Sequence, residues 1–196
     1  DITFLENIQE EIKDVKNYVV TISSKTKNEN APLPFNLAKL QVYCSQKFDY
    51  SAQKTQEITQ ALREKYKAIT YNRSDSQYLN EEHFLEAPEK LKTIFENLDI
   101  SVERIDTSKK SKCFDDSKVT AHHAIIPTNT KIDTKKLNTE ELNVYRAIAD
   151  FYILQFLPPQ KIEVKTGEFT VKDYNFKNSG RKILDLGYRK YLNKTL

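Results

Sequence analysis

The chain has 196 residues, of which 38% are hydrophobic and 30% charged, enough to bury one sizeable core or two small ones and unlike a membrane protein or a disordered tail. Lys+Arg number 31 against 28 Asp+Glu, a formal charge of +3, so bulk charge announces no nucleic-acid partner and any polyanion site has to be local. Its two cysteines, Cys44 and Cys113, lie far apart with no Cys-x-x-Cys pair and no signal peptide, which argues against a zinc ribbon or a disulfide scaffold and fits a reducing, cytoplasmic setting.

Taken in chain order, Phe4, Leu5, Ile8 and Ile12 mark an amphipathic opening helix, and Val19, Val20 and Ile22 a short β-rich run. Pro32 and Pro34 impose an extended approach to a helix capped by Asn36, with Leu37, Leu40, Cys44 and Phe48 at helical spacing. After a break at 48–50, Ser51 caps a second helix carrying Ala52, Thr55, Ile58, Leu62 and Tyr66 on one side. The pair reads as helix, tight turn, helix, a shape that DNA-binding proteins use. A third helix follows Pro88 with Leu91, Ile94, Phe95 and Leu98, and a fourth carries Leu142, Tyr145, Ile148, Ala149, Tyr152, Ile153 and Phe156. That fourth helix starts with a capping box, Asn138 with Glu141, and a hydrophobic staple, Leu137 with Leu142; Pro158 and Pro159 end it. In the tail, Ile162 and Val164 alternate with polar residues, Thr166 and Gly167 supply a turn, Phe169 and Val171 resume the alternation, and Asn178, Ser179 and Gly180 form the next turn.

The predicted fold class is therefore α+β: a mainly helical domain with a helix-turn-helix-like core at 34–157, inserted in a β-rich arch built from both chain ends, 1–33 and 158–196.

Two segments carry chemistry. In Ile69-Thr70-Tyr71-Asn72-Arg73-Ser74-Asp75-Ser76 a phenol and a guanidinium stand two apart, and in an extended backbone they share a face while Asn72 points away. Tyr71 would then act as nucleophile on a phosphate that Arg73 holds with its forked donors. A phenol with a reference pKa of about 10 needs a neighbouring cation, metal or base to be reactive at neutral pH. Taken alone, Tyr-x-Arg is a weak signal in a chain with 11 tyrosines. In Thr120-Ala121-His122-His123-Ala124-Ile125-Ile126-Pro127-Thr128, adjacent histidines in a strand face opposite ways and no nearby Cys, Asp or Glu completes a ligand set. A single histidine turned toward a phosphate suits the pattern better than a metal, and an ordinary buried histidine is the plain alternative.

These segments occur in order with two others upstream: Pro32-Leu33-Pro34-Phe35-Asn36-Leu37 with Leu40-Gln41, and FDYSAQKT from Phe48 to Thr55; they are followed by ITYNRSDSQYL from Ile69 to Leu79 and CFDDSKVTAHHAIIPT from Cys113 to Thr128. Together they resemble the bacterial type IA DNA topoisomerases, in the topoisomerase III branch. The Phe-Leu-Pro-Pro of 156–159 and the stretch from Gly180 to Tyr188 look like the returning strands of that family.

The resemblance implies that Tyr71 attacks a single-stranded DNA phosphodiester and holds the new 5′-phosphate end, conserving the bond energy so that the strand is resealed without ATP. Arg73 would steady the phosphate and His122 would donate to it or shuttle a proton at the leaving 3′-oxygen. Gln60, Ser74, Asp75 and Ser76 are the implied DNA-binding or orienting residues, His123 a weaker one, and Glu64 an orienting residue on the helix before the tyrosine. Departures from the family pattern are Asp49 in place of Gly, Arg63 in place of Tyr, and Asn72 where Pro is frequent. The family's acidic, Mg²⁺-binding toprim domain has no counterpart here, and with no methionine in the chain the sequence reads as a piece of something larger. The implied protein is a DNA-relaxing or decatenating enzyme of the bacterial nucleoid, monomeric, not membrane-bound, with Mg²⁺ bound outside this chain and no cleavage by this piece alone. The competing reading is a non-catalytic helix-turn-helix DNA-binding module in which Tyr71 stacks on a base; the nine Lys+Arg against four Asp+Glu at 161–196 serve either.

Overall fold

A computed structural model describes residues 2–16 and 18–195, so the two ends of the expected arch, Asp1 and Leu196, lie outside the described residues. The chain divides into two compact units, Asp1–Glu29 with Pro159–Gly187 and Asn30–Pro158 with Tyr188–Leu196. Among the described residues no helix is long and apolar enough to cross a membrane.

The first unit holds helix α1 (Ile2–Ile12) and strands β1 (Val20–Glu29), β2 (Gln160–Val171) and β3 (Tyr174–Asp185), in an antiparallel sheet of order β1-β2-β3. The N-terminal strand thus pairs with the C-terminal hairpin, Val20 opposite Phe169 and Glu29 opposite Gln160. Both turns expected in the tail fall inside strands instead: Thr166 pairs with Ser179 and Gly167 with Asn178, in mid-ladder. The chain reverses after Val171, at Lys172, whose φ of 51° is left-handed. Cross-strand packing decides this against local turn propensity, since Phe169 stacks on Phe176 with centroids 4.9 Å apart and Tyr18 lies 5.5 Å from Phe169. The glycines tolerate the ladder, and nothing lies within 4 Å of where a Cβ would stand on Gly167 or Gly180.

The second unit contains α2 (Leu37–Phe48), α3 (Ala52–Glu64), α4 (Glu82–Leu85), α5 (Ala87–Leu98), α6 (Thr139–Ile153) and α7 (Arg189–Thr195). Asn36 caps α2 by accepting from the Lys39 N–H and Ser51 caps α3 by accepting from the Lys54 N–H. The capping box of α6 is formed in both directions, Asn138 Oδ1 accepting from Glu141 N–H at 2.8 Å and Glu141 Oε2 from Asn138 N–H at 2.9 Å. The helix stops at Ile153, and a 3₁₀ turn, Leu154–Phe156, precedes the prolines.

Two buried clusters flank α6. One gathers Leu40, Ile58, Leu62, Ile125, Tyr145 and Ile148; the other gathers Leu79, Leu91, Ile94, Ile126, Tyr152 and Phe156. Ile125 and Ile126 go to different clusters because successive side chains of an extended segment face opposite ways.

The expected boundaries of the arch shift accordingly. Residues 30–33 join the helical unit, where Gln155 Nε2 donates to the Pro32 carbonyl at 2.7 Å. So does α7: the Tyr188 N–H donates to the Pro158 carbonyl at 2.8 Å and the Tyr191 hydroxyl donates to Asp150. Burial holds the Asp150 carboxyl above the usual carboxylate range, with the Tyr191 hydrogen bond acting against that rise.

Candidate active site

Helix α3 ends at Glu64, the Ala68 N–H returns to the Leu62 carbonyl at 2.8 Å, and Ile69 bridges Pro127 in antiparallel fashion. That bridge joins the two chemistry-bearing segments. The Thr70 N–H donates to the Ile126 carbonyl at 2.9 Å, the Ile126 N–H donates to Thr70 Oγ1 at 3.1 Å, and Thr70 Oγ1 donates to the Ala124 carbonyl at 3.3 Å. A further bridge, Phe35 with Ile125, ties in the stretch before α2.

The result is that Tyr71 and His122, 51 positions apart in the chain, lie with ring centroids 4.3 Å apart at 40°. Tyr71 is half-buried and His122 exposed, so both rings stay reachable from solvent. A third group joins them: the Arg63 guanidinium carbon sits over the Tyr71 ring, 4.7 Å from its centroid.

Arg73 does not share an extended face with Tyr71. The backbone forms a turn at Asn72 and Arg73, which leaves Arg73 exposed and Asn72 buried. The Asn72 amide pulls this turn toward α3 by donating to Thr59 Oγ1 at 3.3 Å, and a buried amide needs such a partner. Ser74 is also buried, and its Oγ accepts from the Ser76 N–H at 3.1 Å. Its hydroxyl therefore orders the loop rather than facing solvent. Asp75 is exposed, and its carbonyl accepts from Asn36 Nδ2 at 2.8 Å, while the Ser74 carbonyl accepts from the Leu37 N–H at 2.9 Å. The tyrosine loop is thus fastened to the start of α2. Ser76 Oγ accepts from the Tyr78 N–H at 3.1 Å.

Gln60 and Glu64 pair with each other along α3, the Gln60 amide donating to both Glu64 oxygens at 3.3 Å. His123 turns inward, half-buried, its Nδ1 2.8 Å from the Ala124 carbonyl and its ring edge-on to His83 at 4.5 Å. Burial pushes the His123 imidazole below its ordinary range, and the neighbouring His83, Lys90 and His122 push the same way. Lys90 is likewise held down by burial while donating to Asn129 Oδ1 at 3.0 Å.

Arg63 and Thr70 are the contributors that the motifs did not single out as functional. Arg63 is three residues past Gln60, so helical spacing sets it beside one residue already picked out. Among the described residues no group of three or more His, Cys, Asp or Glu stands close enough to hold a metal ion.

Residues 3–196 match the DNA topoisomerase family. The DNA topoisomerase 3 of Vibrio cholerae is 35% identical over 188 residues, covering 94% of this chain and 29% of that protein. That of Salmonella typhimurium is 34% identical over 189 residues, with 95% and 29% covered. Among solved structures, full-length topoisomerase I from Thermotoga maritima superimposes with a TM-score of 0.63 at 26% identity, over 97% of this chain and 31% of the other. The chain spans about 30% of the length of these relatives. With the family match running from residue 3 to residue 196 and these relatives aligned over nearly the whole chain, the chain belongs to the type IA DNA topoisomerases, in the topoisomerase III branch.

Proposed function

We propose that this chain carries the nucleophile of a DNA-relaxing and decatenating enzyme, and that Tyr71 is that nucleophile. Its hydroxyl attacks the phosphorus of a single-stranded DNA phosphodiester. The bond to the 3′-oxygen breaks, the phosphotyrosine ester forms on the 5′ side, and the proton lost by the phenol is balanced by the one taken up at the 3′-oxygen. On this reading His122 handles that proton or donates to a non-bridging oxygen. Exposed Arg73 meets the phosphate as DNA arrives. Reversal of the same step reseals the strand, with no ATP needed because the ester conserves the bond energy. The observation that carries this reading is the Tyr71–His122 ring contact at 4.3 Å, made between segments distant in sequence.

Mg²⁺ belongs, on this reading, to acidic residues of the enzyme beyond this chain, where it would stabilise phosphate charge, and the chain by itself does not cleave. The test is to combine this chain with a polypeptide carrying the metal-binding region of a topoisomerase 3 relative, Mg²⁺ and a 3′-labelled single-stranded oligonucleotide, then quench with detergent. Label should migrate with this chain, and should be lost in Tyr71→Phe and when the second polypeptide is left out. No adduct despite measured binding of both polypeptides to each other and to DNA would sink the proposal.

A further inference from the structure

Arg63 belongs to none of the segments that bring Tyr71 and His122 together, yet its guanidinium carbon is 4.7 Å from the Tyr71 ring centroid. Both ends of that contact are fixed from behind. The Arg63 backbone lies in the last turn of α3, a helix anchored by buried Ile58, Thr59 and Leu62. On the other side, the residue after the tyrosine is fastened to the same helix, Asn72 Nδ2 donating to Thr59 Oγ1 at 3.3 Å. The ring therefore has two neighbours, His122 with its centroid 4.3 Å away and Arg63. A phenol turning freely about its χ angles would spread its hydroxyl over many positions, and reaction needs one of them.

We propose that Arg63 is a positioning residue for Tyr71: its guanidinium holds the ring by cation–π contact in the pose that keeps it against His122. The consequence for catalysis rests on Tyr71 being the nucleophile, whereas the contact itself does not.

Two readouts test it. In the chain on its own, the Arg63 Nε–H resonance should be shifted upfield by the Tyr71 ring current; the shift should survive Tyr71→Phe and vanish in Tyr71→Leu. In the two-polypeptide assay, Arg63→Gln should slow single-turnover adduct formation about tenfold with oligonucleotide affinity and thermal midpoint unchanged, and Arg63→Lys should recover most of the rate. An Arg63 resonance indifferent to Tyr71→Leu would overturn the proposal. So would an unchanged rate in Arg63→Gln, or a fall in rate matched by an equal fall in affinity, which would make Arg63 a phosphate contact. Absence of any adduct with the wild-type chain, alongside the expected resonance, would overturn Tyr71 as nucleophile and support the Arg63 contact.

Discussion

Thr70 and Ile126 exchange two hydrogen bonds, the Thr70 N–H to the Ile126 carbonyl at 2.9 Å and the Ile126 N–H to Thr70 Oγ1 at 3.1 Å. Thr70 directly precedes the candidate nucleophile, and Ile126 lies four residues past His122, so this exchange sets the distance between the two rings. In Thr70→Val the shape is kept but the buried Ile126 N–H loses its acceptor, at a cost of about 1–3 kcal/mol. We expect urea unfolding to show that loss, and adduct formation to slow by more than the change in folded fraction explains.

His122 should matter to chemistry and little to folding, because it is exposed and sits at the edge of the bridge. Replacing it by alanine should lower the single-turnover rate by about 10²- to 10⁴-fold, the range for a lost proton-transfer group. Thermal denaturation should be nearly unchanged. A rate within a factor of a few of the wild type would assign the proton to solvent.

His123 should report on pH through stability. Its folded-state pKa is depressed below 6.5 by burial, against the opposing Ala124 hydrogen bond and with repulsion from His83, Lys90 and His122. The unfolded chain then binds the proton more tightly than the native one, so stability rises with pH across the interval between the folded value and 6.5, and is lost as pH falls through it. Chemical denaturation from pH 7.5 down to 5 should show this slope, and His123→Gln should flatten it.

Asp49 closes α2 in a left-handed conformation, φ 58°, with its N–H bonded to the Ser45 carbonyl at 3.1 Å. Glycine takes that backbone without crowding a Cβ. Asp49→Gly should stabilise the chain by about 0.5–1 kcal/mol, read as a higher urea midpoint at unchanged m-value.

Local rules carried the helices well. Asn36, Ser51 and the Asn138–Glu141 box mark starts that the structure reproduces, because caps are decided by groups three residues apart. The tail was harder. Gly167 and Gly180 look like punctuation in sequence, but the ladder partners that draw them into strands lie on other strands, and no local window contains those partners. The site divides the same way. The Tyr71 and His122 segments stand out locally, whereas the nearness of the two rings depends on the Ile69–Pro127 bridge between distant segments. The turn at Asn72 depends on Thr59, thirteen residues back on α3, so the face-sharing expected of Tyr71 and Arg73 could not be tested from the segment alone. Nothing near Arg63 in sequence marks it, because only the fold brings its guanidinium over the Tyr71 ring.

The two thiols sit on opposite sides of α6, Cys44 in one buried cluster and Cys113 in the other. Burial pushes Cys44 up to about 11 and Cys113 up to about 12, and a thiol without its thiolate is inert toward alkylating reagents. Each cysteine therefore becomes reactive only when its own half of the helical unit opens. Pulse alkylation followed by peptide mass spectrometry would time the two openings separately, with no label introduced. Equal rates would mean that α6 locks both halves into one cooperative unit, and a faster Cys113 would place the first opening among the loops between α5 and α6.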